Sequence, residues 1–420
     1  MIGSAPDPAN SVSAPTTPQT PAAFGFIFVS AVTTAMSFGL MIPILPSLLK
    51  QFTHGDTAQA AIWAAVFNTM GGAMSLFAGP LLGLVSDRVG RRPVLLFSLC
   101  GLGLDFLFMA FAPGLIWLFV GRMISGATSA AFSTANAYVA DITPPQDRAR
   151  AFGWMGSAFS FGFLAGPAIG GMLGQFDLRA PFLAAAALTL VNVLYGAFVL
   201  PESLPVERRI DRFEWAKANP LGSLIFLRRR RDLLELAGLQ FLNQLAQMVW
   251  PGIFVLYTSY RFHWSPLTTG LYMMAGGLMG VGVQSVLVAP SVKRFGERGT
   301  LIIGSAAAVI AFVWYGLAPT GFWYMMAMPV SALFGLMAPG LQGLMTRRVG
   351  SSEQGQLQGA NQALSGLASV IGPSIFGFLF AWAVQHPQFN LPGAPLLLAG
   401  AITAACLWIA VRFRADPVMS

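Results

Sequence analysis

The chain has 420 residues, of which 10% are charged and 55% are hydrophobic, and its mean hydropathy is +0.66. A soluble domain carries about 25% charged residues, so this composition excludes an ordinary soluble enzyme or nucleic-acid-binding protein. The formal net charge of +8 is the basic excess that the loops of a membrane protein accumulate. We therefore expect no nucleic-acid partner.

The chain begins with a segment, residues 1–22, that is rich in Pro, Ser, Thr and Ala and has no basic stretch before the first apolar run. Such a composition cannot bury a core, and it lacks the pattern of a signal peptide. The sequence therefore predicts a disordered N-terminal tail over 1–22.

From there to residue 412, apolar runs of about 20 residues recur, each long enough to cross a ~30 Å hydrocarbon core. This pattern predicts an all-α polytopic membrane protein with twelve transmembrane helices in two six-helix bundles, over 23–200 and 233–412. The polar stretch 201–232 is the predicted linker, and 413–420 is a second tail. The predicted spans are 23–49, 58–85, 93–112, 114–140, 149–174, 179–200, 233–259, 265–291, 299–318, 321–346, 355–385 and 391–412.

The distribution of Lys and Arg predicts the orientation. Placing the loop after span two in the cytoplasm puts 20 of the 24 basic residues on that side. Lys50, Arg179 and Arg261 lie on the opposite side, and Arg122 lies within span four. Because cytoplasmic loops are enriched in Lys and Arg, we expect both termini and the linker to be cytoplasmic.

Segment 83–93 (GLVSDRVGRRP) concentrates charge at the turn between spans two and three. Gly83 permits a close helix approach, Asp87 suits the positive N-terminus of another helix, and Gly90 makes the turn. The basic residues that hold this turn on the cytoplasmic side are Arg88, Arg91 and Arg92.

The second half of the chain echoes the first. Segment 293–298 (KRFGER) follows span eight as the basic turn follows span two, and Gly372 precedes a proline in span eleven as Gly166 does in span five. The second turn lacks an aspartate at the position of Asp87. A two-fold echo about a central loop is typical of paired bundles that rock around a midplane site.

Span five carries Gly162, Gly166 and Gly170 on one helix face, because they recur every four residues. Small residues at this spacing let a neighbouring backbone come close, and Pro167 locally weakens the helix. Tight packing and a role in a conformational switch both fit this pattern.

These motifs resemble those of major facilitator superfamily transporters, and within them the proton-driven drug antiporters of the tetracycline-efflux type. Segment 83–93 matches the superfamily's loop signature, and Arg122 with Gly126 matches its fourth-helix motif. The residues that match the fifth-helix antiporter signature are Gly162, Gly166, Pro167, Gly170 and Gly171. The similarity covers residues 23–412 and implies the major facilitator fold, alternating access and a location in the bacterial inner membrane.

The resemblance also implies a cytoplasmic latch between the bundles, formed by Gly83, Asp87, Arg88, Gly90, Arg91, Arg92 and Asp141. Asp87 would approach the N-terminus of span eleven near Glu353, and Arg91 would pair with Asp141 at the end of span four. Such a latch stabilises an outward-facing state. The alternative is a set of solvated charges worth under ~1 kcal/mol each.

Charge inside the bilayer points to function, because burying it costs at least ~2.5–3.5 kcal/mol. Asp105, in the middle of span three, and Arg122, in span four, are the clear cases. We expect Asp105 to bind and release the transported proton, with Arg122 controlling that exchange. A static pair that joins the two helices is the alternative.

The chain departs from the tetracycline exporters at two positions. Those proteins carry acidic residues in spans one and nine, where this chain has Thr34 and Ala308. Neither side chain binds a cation, so a magnesium–tetracycline chelate is in doubt as the substrate. The expected cavity lining is uncharged, and interhelical hydrogen bonding is the alternative role of its amides. The candidates are Asn68, Asn136, Gln240, Asn243, Gln244, Gln247, Trp250, Gln342, Gln358 and Asn361.

The sequence thus predicts a secondary active transporter that exports an amphipathic organic compound or drug in exchange for protons. A proton symporter or facilitator that imports a small metabolite is the alternative, followed by a non-transporting receptor. No span carries a His/Glu metal pair, a nucleophile with a base, or paired carboxylates, so no enzymatic activity, metal or cofactor is expected. The expected partners are the substrate, protons and the lipid bilayer, and the chain is expected to function as a monomer.

Overall fold

The computed structural model describes residues 21–210, 219, 222–350 and 353–413, and their regular structure is entirely helical. Most of the two predicted tails lies outside the described residues, as do the stretches 211–218 and 220–221 of the predicted linker.

The first bundle contains eight helices that form the six predicted spans. Span one is broken at residues 42–44, where Pro43 cannot donate a helical hydrogen bond, and span four is broken at 128–130. The helices are α1 (Pro21–Met41), α2 (Leu45–Phe52), α3 (Thr57–Val89), α4 (Arg91–Phe111), α5 (Leu115–Ala127), α6 (Ala131–Ile142), α7 (Arg148–Phe176) and α8 (Ala180–Val199).

Among the described residues, the second bundle and the segment just before it contain ten α-helices, of which α9 precedes span seven. A π-helical turn over Val283–Leu287 joins α12 to α13, and α13 bends at Gly296, whose backbone is not helical. The helices are α9 (Leu224–Arg229), α10 (Arg231–Gln247), α11 (Val249–Phe262), α12 (Pro266–Gly282), α13 (Val288–Leu317), α14 (Gly321–Met326), α15 (Met328–Ala332), α16 (Met337–Thr346), α17 (Gln354–Gln385) and α18 (Ala394–Arg412).

Ten helical segments among the described residues are long and apolar enough to cross a membrane. One of them, Pro266–Leu317, has 52 residues, which is enough for two crossings joined at the bend of Gly296. The predicted seventh span corresponds to α10 and α11, which are not among the ten. The helices are therefore consistent with the predicted twelve spans.

The apolar core differs between the two ends of the molecule. We call the end where α8 leads into the linker the linker end, and the opposite end the far end. At the far end, one cluster of buried side chains spans both bundles, with Phe67 from the first and Ile253 and Phe376 from the second. At the linker end, two separate clusters lie around Tyr138 in the first bundle and Leu357 in the second. The bundles thus share a core at the far end.

Contacts between the bundles agree with this division. Helices α3 and α17 pack from Ala65 against Gly377 to Leu76 against Gly366, and the hydroxyls of Thr69 and Ser374 lie 2.8 Å apart. At ~1.5 Å per residue, about 20 Å of helix lies between Leu76 and the linker end of α3.

Candidate functional site

The linker-end corner of the first bundle is built on the turn at Gly90, whose φ of 120° is a conformation that glycine adopts without strain. The predicted pair is present: Arg91 Nε lies 3.1 Å from Asp141 Oδ2. Arg91 Nη1 also lies 2.5 Å from Asp87 Oδ1, one turn earlier in the chain. Ser203 donates to the same oxygen of Asp141 over 3.3 Å. One guanidinium thus joins the loop to the end of span four.

Glu202 is a residue of this corner that the sequence did not single out. Its carboxylate accepts the backbone N–H groups of Arg91, at 2.8 Å, and Arg92, at 3.2 Å. It also accepts those of Ser203 and Leu204, each at 3.0 Å. A carboxylate at a helix N-terminus is favourable because it satisfies unpaired donors and the helix dipole. A Cβ on Gly90 would collide with this carboxylate, which adds a second reason for glycine.

Among the described residues, which omit 351–352, Asp87 forms no ion pair or hydrogen bond with the second bundle, so the predicted interbundle contact is not seen there. Asp87 pairs with Arg91, whereas Glu353 at the start of α17 pairs with Arg230, Nη1 to Oε2, at 2.6 Å. A Cβ on Gly83 would meet no described atom within 4 Å, so the close approach expected there is also absent. Arg88 is exposed.

Arg92 has a different task at the same corner. Its Nη2 donates to the carbonyl oxygen of Ala197 over 2.5 Å, near the end of α8. A cation is favourable at a helix C-terminus, where carbonyl groups lack intrahelical partners. Arg92 therefore joins the start of span three to the end of span six.

Asp105 and Arg122 form a buried ion pair between α4 and α5. Asp105 is fully buried, and both Nη2 and Nε of Arg122 donate to its carboxylate, the latter over 3.4 Å. By helical rise, Asp105 lies about 20 Å from the start of α4 and about 9 Å from its end. The pair is therefore nearer the far end than the middle of the span where the sequence placed it, and all its contacts are within the first bundle.

The glycines of span five pack as the spacing predicts. Gly162, Gly166 and Gly170 face backbone atoms of α1, so that a methyl group at any of them would collide. Gly171 and Pro167 instead contact the other bundle, where the carbonyl of Pro167 abuts Gly270 of α12. One face of α7 thus packs within its bundle, and another meets span eight.

Several predicted cavity residues hold helices together. Asn68 donates to the carbonyl of Pro251 across the bundle interface at 3.2 Å. Within the second bundle, Gln244 donates to Ser365 at 2.8 Å.

The other candidate amides differ in their surroundings. Asn361 donates to Gln342 at 3.2 Å. The side-chain oxygens of Asn243 and Asn361 are buried without a hydrogen-bond partner among the described residues. Gln358 is exposed, whereas Asn136, Gln240 and Gln247 are half-buried.

Trp250 belongs to an aromatic cluster that the sequence only partly indicated. Its ring stacks on Phe312 at 5.8 Å and meets Tyr315 edge-on at 5.6 Å. Tyr315 lies in a chain of hydroxyls, accepting from Tyr272 over 2.8 Å and donating to Ser331 over 2.7 Å. These residues come from spans seven to ten, and no local sequence pattern predicts that they contact one another.

The fold and this site define a class of protein: a multi-pass helical membrane protein with two bundles that share one core at one end and separate at the other. A family model described as Major Facilitator Superfamily matches residues 27–373 and 236–419. The chain belongs to the Major Facilitator Superfamily of transporters.

Relatives and solved structures agree with this assignment. The chain is 39% identical to the class C tetracycline resistance protein of Escherichia coli, over 89% of this chain and 92% of that protein. It is 36% identical to the class G protein of Vibrio anguillarum, over 83% and 87%. The human organic anion transporter MFSD10 (TETRAN) superposes with a TM-score of 0.66 at 21% identity, over 94% and 99% of the chains. The nucleoside transporter NupG gives 0.75 at 15%, over 93% and 98%.

Proposed function

We propose that this protein is a proton-coupled exporter that carries an amphipathic organic compound out of a bacterial cell by alternating access. In this proposal, both termini and the linker lie on the cytoplasmic side of the inner membrane, and the concentration of basic residues in the loops at that end supports this orientation. The tetracycline resistance proteins among its relatives support drug export.

The observation that best supports alternating access is the division of the core. A single apolar core joins the bundles at the far end, whereas separate cores lie at the linker end. With the linker end in the cytoplasm, this arrangement is an inward-facing state. The opposite state requires the linker ends to meet and the far-end contacts of α3 with α17 and of α7 with α12 to open.

The latch residues fit the same cycle. Asp87 is 40% exposed in its side chain and is held by Arg91, so it is available to the N-terminus of α17 when the linker ends close. Glu353 is engaged with Arg230 in the present state. We propose that closure brings Asp87 to the start of α17, where the helix dipole favours an anion.

Proton coupling is assigned to Asp105 with Arg122. Asp105 is the fully buried carboxylate of the described chain, and a buried charge in a membrane span needs a functional or structural reason. In this state, both Nη2 and Nε of Arg122 donate to its side-chain oxygens. Protonation in the cycle requires that Arg122 withdraw from at least one oxygen.

The substrate is proposed to be an amphipathic compound that needs no carboxylate partner. Thr34 is half-buried in α1, and Ala308 is buried in the apolar core that the two bundles share. Neither provides a charge for a metal–drug cation. The aromatic and amide groups around Trp250 and Asn68 suit stacking and hydrogen bonding instead.

The test is transport in proteoliposomes under an imposed pH gradient, with ethidium and tetracycline as separate probes. Antiport predicts proton movement opposite to the flux of the probe, whereas same-direction movement would establish symport. Asp105→Asn is expected to abolish the coupled proton flux. Asp147→Asn, at an exposed residue, is the matched control and should transport as wild type. Full proton coupling in the Asp105→Asn protein would remove Asp105 from the mechanism.

A further inference from the structure

An apolar pocket of about 350 Å³ lies on the outer surface of the first bundle. It is formed by the last turns of α4, the turn after it and the first turn of α5. Its lining is entirely apolar and comprises Leu104, Leu107, Phe108, Phe111, Ala112, Pro113 and Trp117. Its volume is within the range of about 300–1,000 Å³ that small-ligand sites occupy.

The pocket faces the membrane rather than the other bundle. Helix α4 packs against α3, α5, α6 and α8, all within its own bundle. Phe111 and Trp117, which line the pocket, are 67% and 51% exposed. Trp117 stacks on Phe108 with ring centroids 6.1 Å apart, and tryptophan is typical of the membrane–water boundary. We therefore expect the pocket, at the far end of span three, to face the acyl region just below the headgroups.

A cation contacts one of the residues that line this pocket. Arg179, at the start of α8, donates from Nη2 to the carbonyl oxygen of Ala112 over 3.3 Å, and Ala112 lines the pocket. The neighbouring carboxylate of Asp177 accepts the backbone N–H of Arg179, not its guanidinium. Within the described part of the chain, the Arg179 side chain forms no ion pair. Its remaining N–H donors can bind an anion.

We propose that this pocket binds an anionic phospholipid of the far-end leaflet, with one acyl chain in the apolar pocket and the headgroup phosphate on Arg179. The apolar lining matches an acyl chain, the guanidinium matches a phosphate, and the two features are adjacent at the depth where a phospholipid changes from tail to headgroup. Arg179 is one of only three basic residues that the sequence places on this side, with Lys50 and Arg261. This site is independent of the substrate and of the direction of transport.

The probe is phosphatidylglycerol that carries a photoactivatable group on one acyl chain, added to the full-length protein in phosphatidylcholine nanodiscs. Cross-linking is expected in the peptide that contains residues 104–117, and excess unlabelled phosphatidylglycerol should compete at least ten-fold better than phosphatidylcholine. Glycerol 3-phosphate, which has the charge without the chains, should not compete. Competition by glycerol 3-phosphate would overturn the requirement for an acyl chain.

Three variants separate the two parts of the site. Arg179→Gln should remove the preference for phosphatidylglycerol while retaining cross-linking, and Arg179→Lys should keep the preference. Leu104→Trp, at a half-exposed pocket residue, should fill the pocket and reduce cross-linking at least five-fold. Arg261→Gln is the matched control, because it removes a far-end charge from the other bundle.

Two results would overturn the proposal. The first is unchanged lipid preference in Arg179→Gln, and the second is unchanged cross-linking of 104–117 in Leu104→Trp. Each variant is first shown to be folded by its elution as a single species and by its thermal unfolding in detergent. If Leu104→Trp is not folded, cross-linking elsewhere than 104–117 in the wild-type protein contradicts the site equally.

Discussion

The linker-end corners of the two bundles have the same geometry and opposite charges. In the first, Arg91 follows a glycine of positive φ and pairs with Asp141 at the end of span four. In the second, Glu297 follows a glycine of positive φ, Gly296, and pairs with Arg347 at the end of span ten. The residue after the glycine is thus the base of the pair in the first corner and the acid in the second.

In each corner, the second residue after the glycine is an arginine that donates to carbonyl groups at the end of a helix. Arg92 donates to the carbonyl of Ala197 near the end of span six. Arg298 donates to the carbonyls of Ala410, at 3.2 Å, and Val411, at 2.6 Å, at the end of span twelve. These positions retain one sign because a helix C-terminus always presents carbonyl oxygens.

The comparison distinguishes the ion pair that holds each corner together from the residue that could latch the two bundles. An ion pair joins the loop to a helix end whichever partner is the acid, so its sign can reverse without a change in geometry. The position three residues before the glycine is different: it is Asp87 in the first corner and Lys293 in the second. Only an anion suits the N-terminus of a facing helix, so the latch function is expected in the first corner alone.

The largest expected effect comes from reversing the charge of Arg91 in the first corner. Arg91→Glu places a third carboxylate beside Asp87 and Asp141 and should lower the free energy of unfolding by about 2–4 kcal/mol, since unpaired partly buried charge is costly. Arg91→Glu with Asp141→Arg gives this corner the signs of the second one and should recover at least half of that loss. Thermal unfolding in detergent measures both. No recovery in the double variant would show that the two corners are not equivalent scaffolds.

A smaller, asymmetric effect is expected in the second corner. Glu297 is 15% exposed in its side chain and Arg347 is 59% exposed. Arg347→Gln leaves a carboxylate partly buried without its partner and should cost about 1–2 kcal/mol. Glu297→Gln leaves only a solvated arginine and should cost under ~1 kcal/mol. The same unfolding assay compares them, and equal losses would mean that burial does not set the cost.

The smallest effect on stability is expected at Asp87 and Lys293, the residues three positions before the glycine of each corner. Asp87→Asn and Lys293→Gln should each change the free energy of unfolding by less than ~0.5 kcal/mol, because Lys293 is exposed, and because Asp87 is 40% exposed and its partner Arg91 keeps the ion pair with Asp141. Their transport should differ. Loss of about 1 kcal/mol of helix-dipole interaction should slow pH-driven ethidium transport about five-fold in Asp87→Asn, while Lys293→Gln transports as wild type. Equal slowing in both would place latches in both corners.

Much of the fold followed from the sequence because it depends on neighbours along the chain. The recurring apolar runs predict the spans, and the family and the solved structures bear out the two-bundle fold. The Arg91–Asp141 pair was predicted because both residues lie at span ends on the same side of the membrane. The functional roles of the latch, of Asp105 and of the cavity amides stay predictions.

Other contacts could not be predicted from the sequence. Glu202 caps the start of α4 from the linker more than 100 residues later, and no local pattern signals that contact. The sequence showed that segment 293–298 resembles the basic turn after span two and that it lacks an aspartate at the position of Asp87. It did not show which residues form the ion pair of the second turn. The structure shows that Glu297 and Arg347 complete a corner of reversed sign.

The sequence by itself determined the class of protein, the rough limits of most spans, and the sites where charge enters the bilayer or its surface. These follow from hydrophobicity and turn chemistry, which act over a few residues. Only the tertiary structure decided that Glu202 caps α4 and that Glu297 pairs with Arg347, which end of the molecule holds a shared core, and that the Asp105–Arg122 pair lies near the far end. Those properties depend on how distant helices pack, because a side chain's partner is set by three-dimensional proximity and not by its neighbours in the chain.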